Sequence, residues 1–155
     1  MTLAAGDPIP EFTLLATGGR TVSSAALKGQ PFVLYFYPKA DTSGCTKEAC
    51  EFQEALPGLG KLKLEVIGVS KDKMSALEKF AVKYGLKFPL ASDAEGDLCE
   101  RMGVWVEKSM YGRKYMGIER ATFLVGADGK IKRVWRKVSV TGHAAEVMAA
   151  AKGVK

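Results

Sequence analysis

The sequence predicts an α/β fold, a mixed central sheet with helices on both faces. Two short apolar runs rich in β-branched and aromatic residues, Phe32–Tyr37 and Leu64–Ser70, have the length and composition of buried strands. Between them Ala49, Phe52, Leu56 and Leu59 recur at helical spacing over residues 46–61, and strand, helix, strand implies a right-handed crossover and a parallel pair. Later, Ala127-Asp128-Gly129 between the runs Ala121–Val125 and Lys130–Val138 signals an antiparallel hairpin, which makes the sheet mixed.

The first strand stops at Pro38, which has no N–H for a ladder. The helix that follows carries Pro57 and Gly58, expected to fray or kink its end. A second helix is expected over Lys73–Tyr84, where Met74, Leu77, Phe80, Ala81 and Tyr84 share a face and Gly85 closes it. A short strand in Phe88–Asp93 and a short helix over Glu95–Met102 come next. The last helix occupies about Gly142–Lys152, with Thr141 as its N-cap.

At 155 residues the chain has the size of one globular domain spanning 1–155, large enough to bury roughly 70% of its unfolded surface. The N-terminus MTLAAGDPIPEF has neither the basic nor the apolar segment of a secretory signal, and no apolar run reaches the ~18 residues of a membrane span. A cytoplasmic protein with no membrane partner is expected. The net charge of +6 is spread along the chain, and its densest run, KIKRVWRKV, alternates with apolar residues like a solvated strand face. No nucleic-acid partner is expected.

In a reducing compartment, a close cysteine pair points to redox or metal chemistry rather than a permanent disulfide. The chain has three cysteines, two of them in PKADTSGCTKEAC, residues 38–50. With a helix beginning near Gly44, Cys45 falls in the first turn, where unpartnered N–H groups and the helix dipole favour an anion. A thiolate is the anion a cysteine supplies, and it is the nucleophilic form. Thr42 is placed to offer a hydroxyl to the sulfur or to an approaching oxygen, and Pro38 fixes the entry of the loop.

Cys50 lies five residues on, a rise of ~7.5 Å and a rotation of ~140° along an ideal helix. The two Cα atoms then stand ~8–9 Å apart, beyond the ~7 Å a disulfide spans. Any bond between them requires the first turns to unwind. The plainer alternative is that both are small buried hydrophobes. Ligation of a metal fits poorly, since C-x4-C with one distant cysteine and a single histidine matches no common ligand pattern.

The stretch P-K-A-D-T-S-G-C resembles the P-x-x-x-T/S-x-x-C signature of peroxiredoxins, and the continuation to Cys50 is similar to the bacterioferritin comigratory protein, or peroxiredoxin Q, subfamily. GDPIPEF, YGLKFPLASD, GVWVEK and YMGIERATFLVGADGKI resemble further blocks of that family in the same order. The resemblance implies a thioredoxin-like fold and reduction of hydrogen peroxide or alkyl hydroperoxides by a thiol, with no cofactor and no metal. It implies that Cys45 is the peroxidatic cysteine, Cys50 the resolving cysteine of an intramolecular disulfide, Pro38 and Thr42 the residues shaping the pocket, and Arg120 the active-site arginine. A thioredoxin or glutaredoxin would regenerate the dithiol, and the chain would act as a monomer or weak homodimer. Four positions depart from the subfamily pattern: Ser43 stands where proline is common, Gln53-Glu54 replaces Arg-Asp, and Gly126 replaces an aspartate.

Other residues carry expectations of their own. Cys99 is read as a buried helix cysteine and remains the rival partner for Cys45. His143, the only histidine, is assigned to the surface or a helix end. Trp105, Tyr111, Tyr115 and Met116 are read as core and loop packing, the alternative being an apolar rim beside the thiolate. Glu48 is expected as an exposed first-turn carboxylate, the alternative being a bond to Arg120. Two rivals to the peroxidase remain: a thioredoxin-like disulfide oxidoreductase, which the lack of C-x-x-C disfavours, and a redox sensor, which would react only stoichiometrically.

Overall fold

A computed structural model describes residues 3–153. In chain order the elements are β1 (Thr13–Ala16), β2 (Arg20–Ser23), β3 (Phe32–Phe36), α1 (Ser43–Lys61), β4 (Glu65–Ser70), α2 (Met74–Tyr84) and β5 (Leu90–Ser92). There follow α3 (Leu98–Arg101), β6 (Trp105–Met110), β7 (Arg113–Ile118), β8 (Ala121–Val125), β9 (Ile131–Trp135) and α4 (His143–Ala151). Seven strands form one sheet in the order β2-β1-β5-β4-β3-β8-β9, while β6 and β7 make a separate antiparallel hairpin. The β3–β4 and β4–β5 pairs are parallel and the β3–β8 and β8–β9 pairs antiparallel, so the sheet is mixed, as the sequence implied.

Every residue of β3 is buried, because the strand is central and covered on both sides. Val33 and Tyr35, with Tyr37 just beyond the strand, pack with Ala49 and Phe52 of α1, Leu77 and Phe80 of α2 and Val147 of α4. The alternate residues Phe32, Leu34 and Phe36 pack with Leu98 and Cys99 of α3, Met102 and Val104. The period of two along β3 therefore separates two apolar layers, with helices on both faces. Among the described residues no helix is long and apolar enough to cross a membrane.

Several boundaries differ from expectation. α1 starts at Ser43 and runs unbroken through Pro57. Pro57 is exposed, so the Gln53 carbonyl it leaves unbonded lies on the solvent side, while Phe52, Ala55 and Leu59 hold the inner face to the core. α3 is shorter than Glu95–Met102, since the buried Asp93 carboxylate accepts from the N–H groups of Leu98 (3.1 Å) and Cys99 (2.8 Å) and sets its start there. Thr141 does not cap α4. Gly142 holds that position at φ +80°, a conformation suited to glycine, and the Thr141 hydroxyl instead meets Lys47 Nζ at 2.7 Å. β9 ends at Trp135 because Val138 turns back to donate its N–H to the Arg120 carbonyl at 3.1 Å.

The parallel β3–β4 pair fixes where chemistry is possible. Chain leaving the carboxyl end of β3 enters the loop 37–42 and then α1, so the helix N-terminus stands at the end of the sheet where α/β folds bind ligands.

Candidate active site

The loop before α1 is tied down by its own polar groups. The Ala40 N–H donates to Asp72 Oδ2 (2.7 Å), the Thr42 hydroxyl to the Lys39 carbonyl (2.8 Å), and Lys83 Nζ and Tyr84 OH both to Asp41. These bonds hold Asp41 at φ +62°, and its carboxyl is kept below the ordinary range by the Lys83 and Tyr84 hydrogen bonds. Thr42 sits at the N-cap of α1 without a side-chain capping bond, its hydroxyl committed to Lys39 rather than to sulfur. Pro38 lies exposed at the start of the loop.

Cys45 is the third residue of α1 and only 2% exposed. Arg120, in the link between β7 and β8, brings Nη2 to 3.3 Å from Cys45 Sγ. Its other terminal nitrogen, Nη1, donates to Glu48 Oε1 at 2.6 Å. One guanidinium thus bridges two side chains a helical turn apart on α1, the fork geometry that arginine supplies and lysine does not. Gly44 makes room for it: a Cβ there would lie 3.2 Å from Nη2. The Arg120 backbone is anchored by the Val138 N–H.

Glu48 corrects the expectation of an exposed carboxylate, being 1% exposed, and it takes the alternative partner, Arg120. Burial raises its pKa from 4.5 to about 7, with Arg120 opposing and Glu51 adding to the rise. Burial lowers the Arg120 value, but Glu48 and Cys45 outweigh it and the net shift is upward. Below this cluster Tyr35 stacks on Phe52 with ring centroids 4.6 Å apart, and burial raises the Tyr35 hydroxyl well above its ordinary value.

The other candidates fall elsewhere. Cys50 lies further along the intact α1, half-buried, and all three cysteines are free thiols. Cys99 is fully buried in the layer on the opposite side of the sheet from Cys45, and burial, with Asp93 adding to it, pushes its thiol upward. His143 starts α4 as expected but is 2% exposed, not a surface residue. Its Nε2 pairs with Thr122 Oγ1 at 2.8 Å, and burial lowers its pKa despite Glu146. Trp105 packs against the second core layer, with Lys71 Nζ 5.0 Å from its ring centroid. Tyr111, Tyr115 and Met116 join neither core layer; they are exposed on the β6–β7 hairpin.

Sequence reasoning missed Lys108, on β6, whose pKa is lowered by burial and then by Arg120, with Cys45 acting in the opposite sense. Lys108 therefore lies within the electrostatic reach of Arg120 and Cys45. The only linear signal was its place in the block GVWVEK, which says nothing of distance to residue 45.

Known proteins align with this chain over most of its length. The AhpC/TSA family model matches residues 5–134. A putative peroxiredoxin Bcp from Coxiella burnetii is 48% identical over 148 residues, covering 96% of this chain and 98% of its own. A peroxiredoxin Q from Xylella fastidiosa, solved as a Cys-to-Ser mutant, superposes with a TM-score of 0.92 at 37% identity, covering 98% of this chain and 97% of its own. The bacterioferritin comigratory protein of Xanthomonas campestris, studied for its alkyl peroxide reduction activity, gives 0.86 at 42% identity over 91% and 90%. With a thioredoxin-like sheet, a cysteine in the first turn of α1 and an arginine fork on its sulfur, the chain belongs to the AhpC/TSA family as a peroxiredoxin of the Bcp, or peroxiredoxin Q, group, a thiol peroxidase.

Proposed function

We propose that this chain reduces hydroperoxides through Cys45 and closes its cycle with an intramolecular disulfide to Cys50. The observation that carries the reading is the 3.3 Å contact of Arg120 Nη2 with Cys45 Sγ at the start of α1. There a guanidinium and the helix dipole act on the same sulfur. The thiolate attacks the terminal oxygen of hydrogen peroxide or an alkyl hydroperoxide, the O–O bond breaks, and the leaving oxygen takes a proton as water or alcohol. The sulfur is oxidised to sulfenic acid. Negative charge grows on the leaving oxygen, so donors from Arg120 and the Cys45 N–H act most strongly in the transition state. The Thr42 hydroxyl joins them on rotating away from the Lys39 carbonyl.

Cys50 then attacks the sulfenic sulfur, forming the disulfide and releasing water. In an unbroken α1 the pair stands ~8–9 Å apart, so the first turns uncoil before the bond forms. Cys99 is the weaker partner, since the sheet lies between it and Cys45. A thioredoxin- or glutaredoxin-type dithiol in a reducing, cytoplasmic setting returns the disulfide to two thiols, and the peroxide is the only other substrate.

Thiol titration tests the pairing. One equivalent of peroxide is expected to reduce three free thiols to one in the wild type, and two to none in Cys99→Ser. Cys50→Ser is expected to stop at the sulfenic acid. Arrest of Cys99→Ser at that stage would transfer the resolving role to Cys99.

Glu48 lies between the two cysteines, so uncoiling exposes it. Its folded pKa, about 7, lies above the ordinary 4.5, so the folded turns hold a proton that the uncoiled chain releases. The stability it lends them is complete below 4.5 and is lost as pH rises through about 7. Amide protection over residues 44–52 is therefore expected to fall by roughly one to two orders of magnitude between about pH 5 and about pH 8, after correction for intrinsic exchange. Glu48→Gln should flatten that fall.

A further inference from the structure

Six large apolar side chains are strongly exposed among the described residues, and four of them, Met110, Tyr111, Tyr115 and Met116, lie on the β6–β7 hairpin. The hairpin pairs only with itself, outside the seven-stranded sheet. Its register sets Lys108 opposite Tyr115 and Met110 opposite Arg113, so these four side chains share one face. Gly117 lies on the same face, and a Cβ there would meet the Lys108 stem at 3.2 Å. The base of the hairpin leads from Ile118 through Glu119 into Arg120, whose Nη2 lies 3.3 Å from Cys45 Sγ. The hairpin therefore runs from a base joined to the Arg120–Cys45 contact out to a fully exposed tip.

The tip itself is locally unfavourable. Tyr111 and Gly112 form the two-residue turn at φ +52° and +78°, and Tyr111 is 99% exposed. A turn with both φ positive favours Asn-Gly, and a bulky aromatic there is a conformational outlier. No packing within the chain compensates, so folding supplies no reason for tyrosine at this point. The charges around it are one-sided. Lys114 pairs with Glu107, but Lys108 and Arg113 have no carboxylate in ion-pair range among the described residues.

We propose that this hairpin face, Lys108, Met110, Arg113 and Tyr115 with Tyr111 at the tip, is the docking surface for the protein dithiol that reduces the Cys45–Cys50 disulfide, and that this partner presents an acidic rim around an apolar contact. The proposal rests on the disulfide cycle above. An acidic partner follows from charge: a second copy packed two-fold on this face would set Arg113 and Lys108 near their own equivalents, with a chain charge of +6 on each side. Aromatic and methionine side chains at the centre with unpaired cations at the rim are the composition of a partner-binding patch. The link through Arg120 to Cys45 serves the chemistry, since uncoiling of the first turns of α1 brings the disulfide out on the side where the hairpin's base joins the site.

The test compares protein and small-molecule reductants on Met110→Ser, Tyr111→Asn and Arg113→Glu, none of which belongs to the reacting cluster. Steady-state turnover with thioredoxin is expected to show its KM raised about tenfold by either apolar change. Arg113→Glu should raise it several-fold at low salt, with the difference closing near 0.5 M. Turnover with dithiothreitol should stay within about twofold of wild type in all three, and Tyr111→Asn should melt at or above the wild-type temperature. Unchanged thioredoxin KM in the variants, an equal fall with dithiothreitol, or a wild-type dimer dissociated by Arg113→Glu would each overturn the assignment. A wild type that turns over with dithiothreitol but with neither thioredoxin nor glutaredoxin would instead sink the protein-reductant reading, and the docking surface with it.

Discussion

Replacing Cys45 by serine is expected to reduce peroxide turnover by at least about 10³-fold while leaving the fold within about 1 kcal/mol of the wild type. Serine keeps the shape of cysteine with one smaller atom, and Cys45 sits in the first turns of a helix whose other buried residues hold it to the core. The hydroxyl does not ionise near neutral pH, so an arginine beside it has no anion to stabilise, and Cys50 has no sulfenic acid to attack. Stopped-flow peroxide consumption by the reduced protein, with Cys99→Ser as a control that keeps full first-turnover rate, measures the difference. Retention of more than a tenth of the rate in Cys45→Ser would remove Cys45 from the reaction.

The second large effect belongs to Arg120. Arg120→Ala should reduce kcat/KM for peroxide by about 10²–10³-fold, the loss typical of a transition-state charge donor. Arg120→Lys should recover only part of this, since an ammonium cannot serve Cys45 and Glu48 together as the fork does. Arg120→Ala also leaves Glu48 buried without its cation. The carboxyl then rises beyond about 7 and is uncharged over more of the working range. A stability loss of about 1–3 kcal/mol is expected, larger at high pH than at low, because only the ionised carboxylate suffers from the missing partner. Denaturant melts at two pH values separate that loss from the loss of rate. A rate within threefold of wild type in Arg120→Ala would mean that the helix terminus alone activates the sulfur.

Elements of the central sheet were legible where burial imposed a pattern. β3, β4, α1, α2 and the β8–β9 hairpin all bury a face or a whole strand, and their apolar residues fall at the corresponding period. The β1–β2 hairpin was missed because its alternation is weak and Leu15 points to solvent at 65% exposure. The β6–β7 hairpin was missed for the stronger form of the same reason. Most of its side chains are exposed or half-buried, so no apolar period marks it, and Tyr-Gly is not the expected turn pair.

The candidate site divides in the same way. Cys45, Cys50, Thr42 and Pro38 lie in one short stretch, and their strand–loop–helix context placed Cys45 in a first helical turn before any tertiary contact was known. Linear order also set the obstacle to the disulfide, because five residues of intact helix hold the two thiols apart. Arg120 entered only through resemblance, since no periodicity connects it with a cysteine 75 residues earlier.

The amino-acid sequence by itself determined the strand–helix crossover and the cysteine at the helix start, since each depends on neighbours within a turn or a strand, while the class of chemistry entered through the resemblance of blocks along the chain. Only the tertiary structure decided that Glu48 is buried on Arg120, that Cys99 lies beyond the sheet, and that Lys108 comes within electrostatic reach of Arg120 and Cys45. Those facts turn on the pairing of β3 with β8 and the fold-back of the β6–β7 hairpin, long-range contacts whose energy comes from buried area and desolvated charge rather than from local spacing.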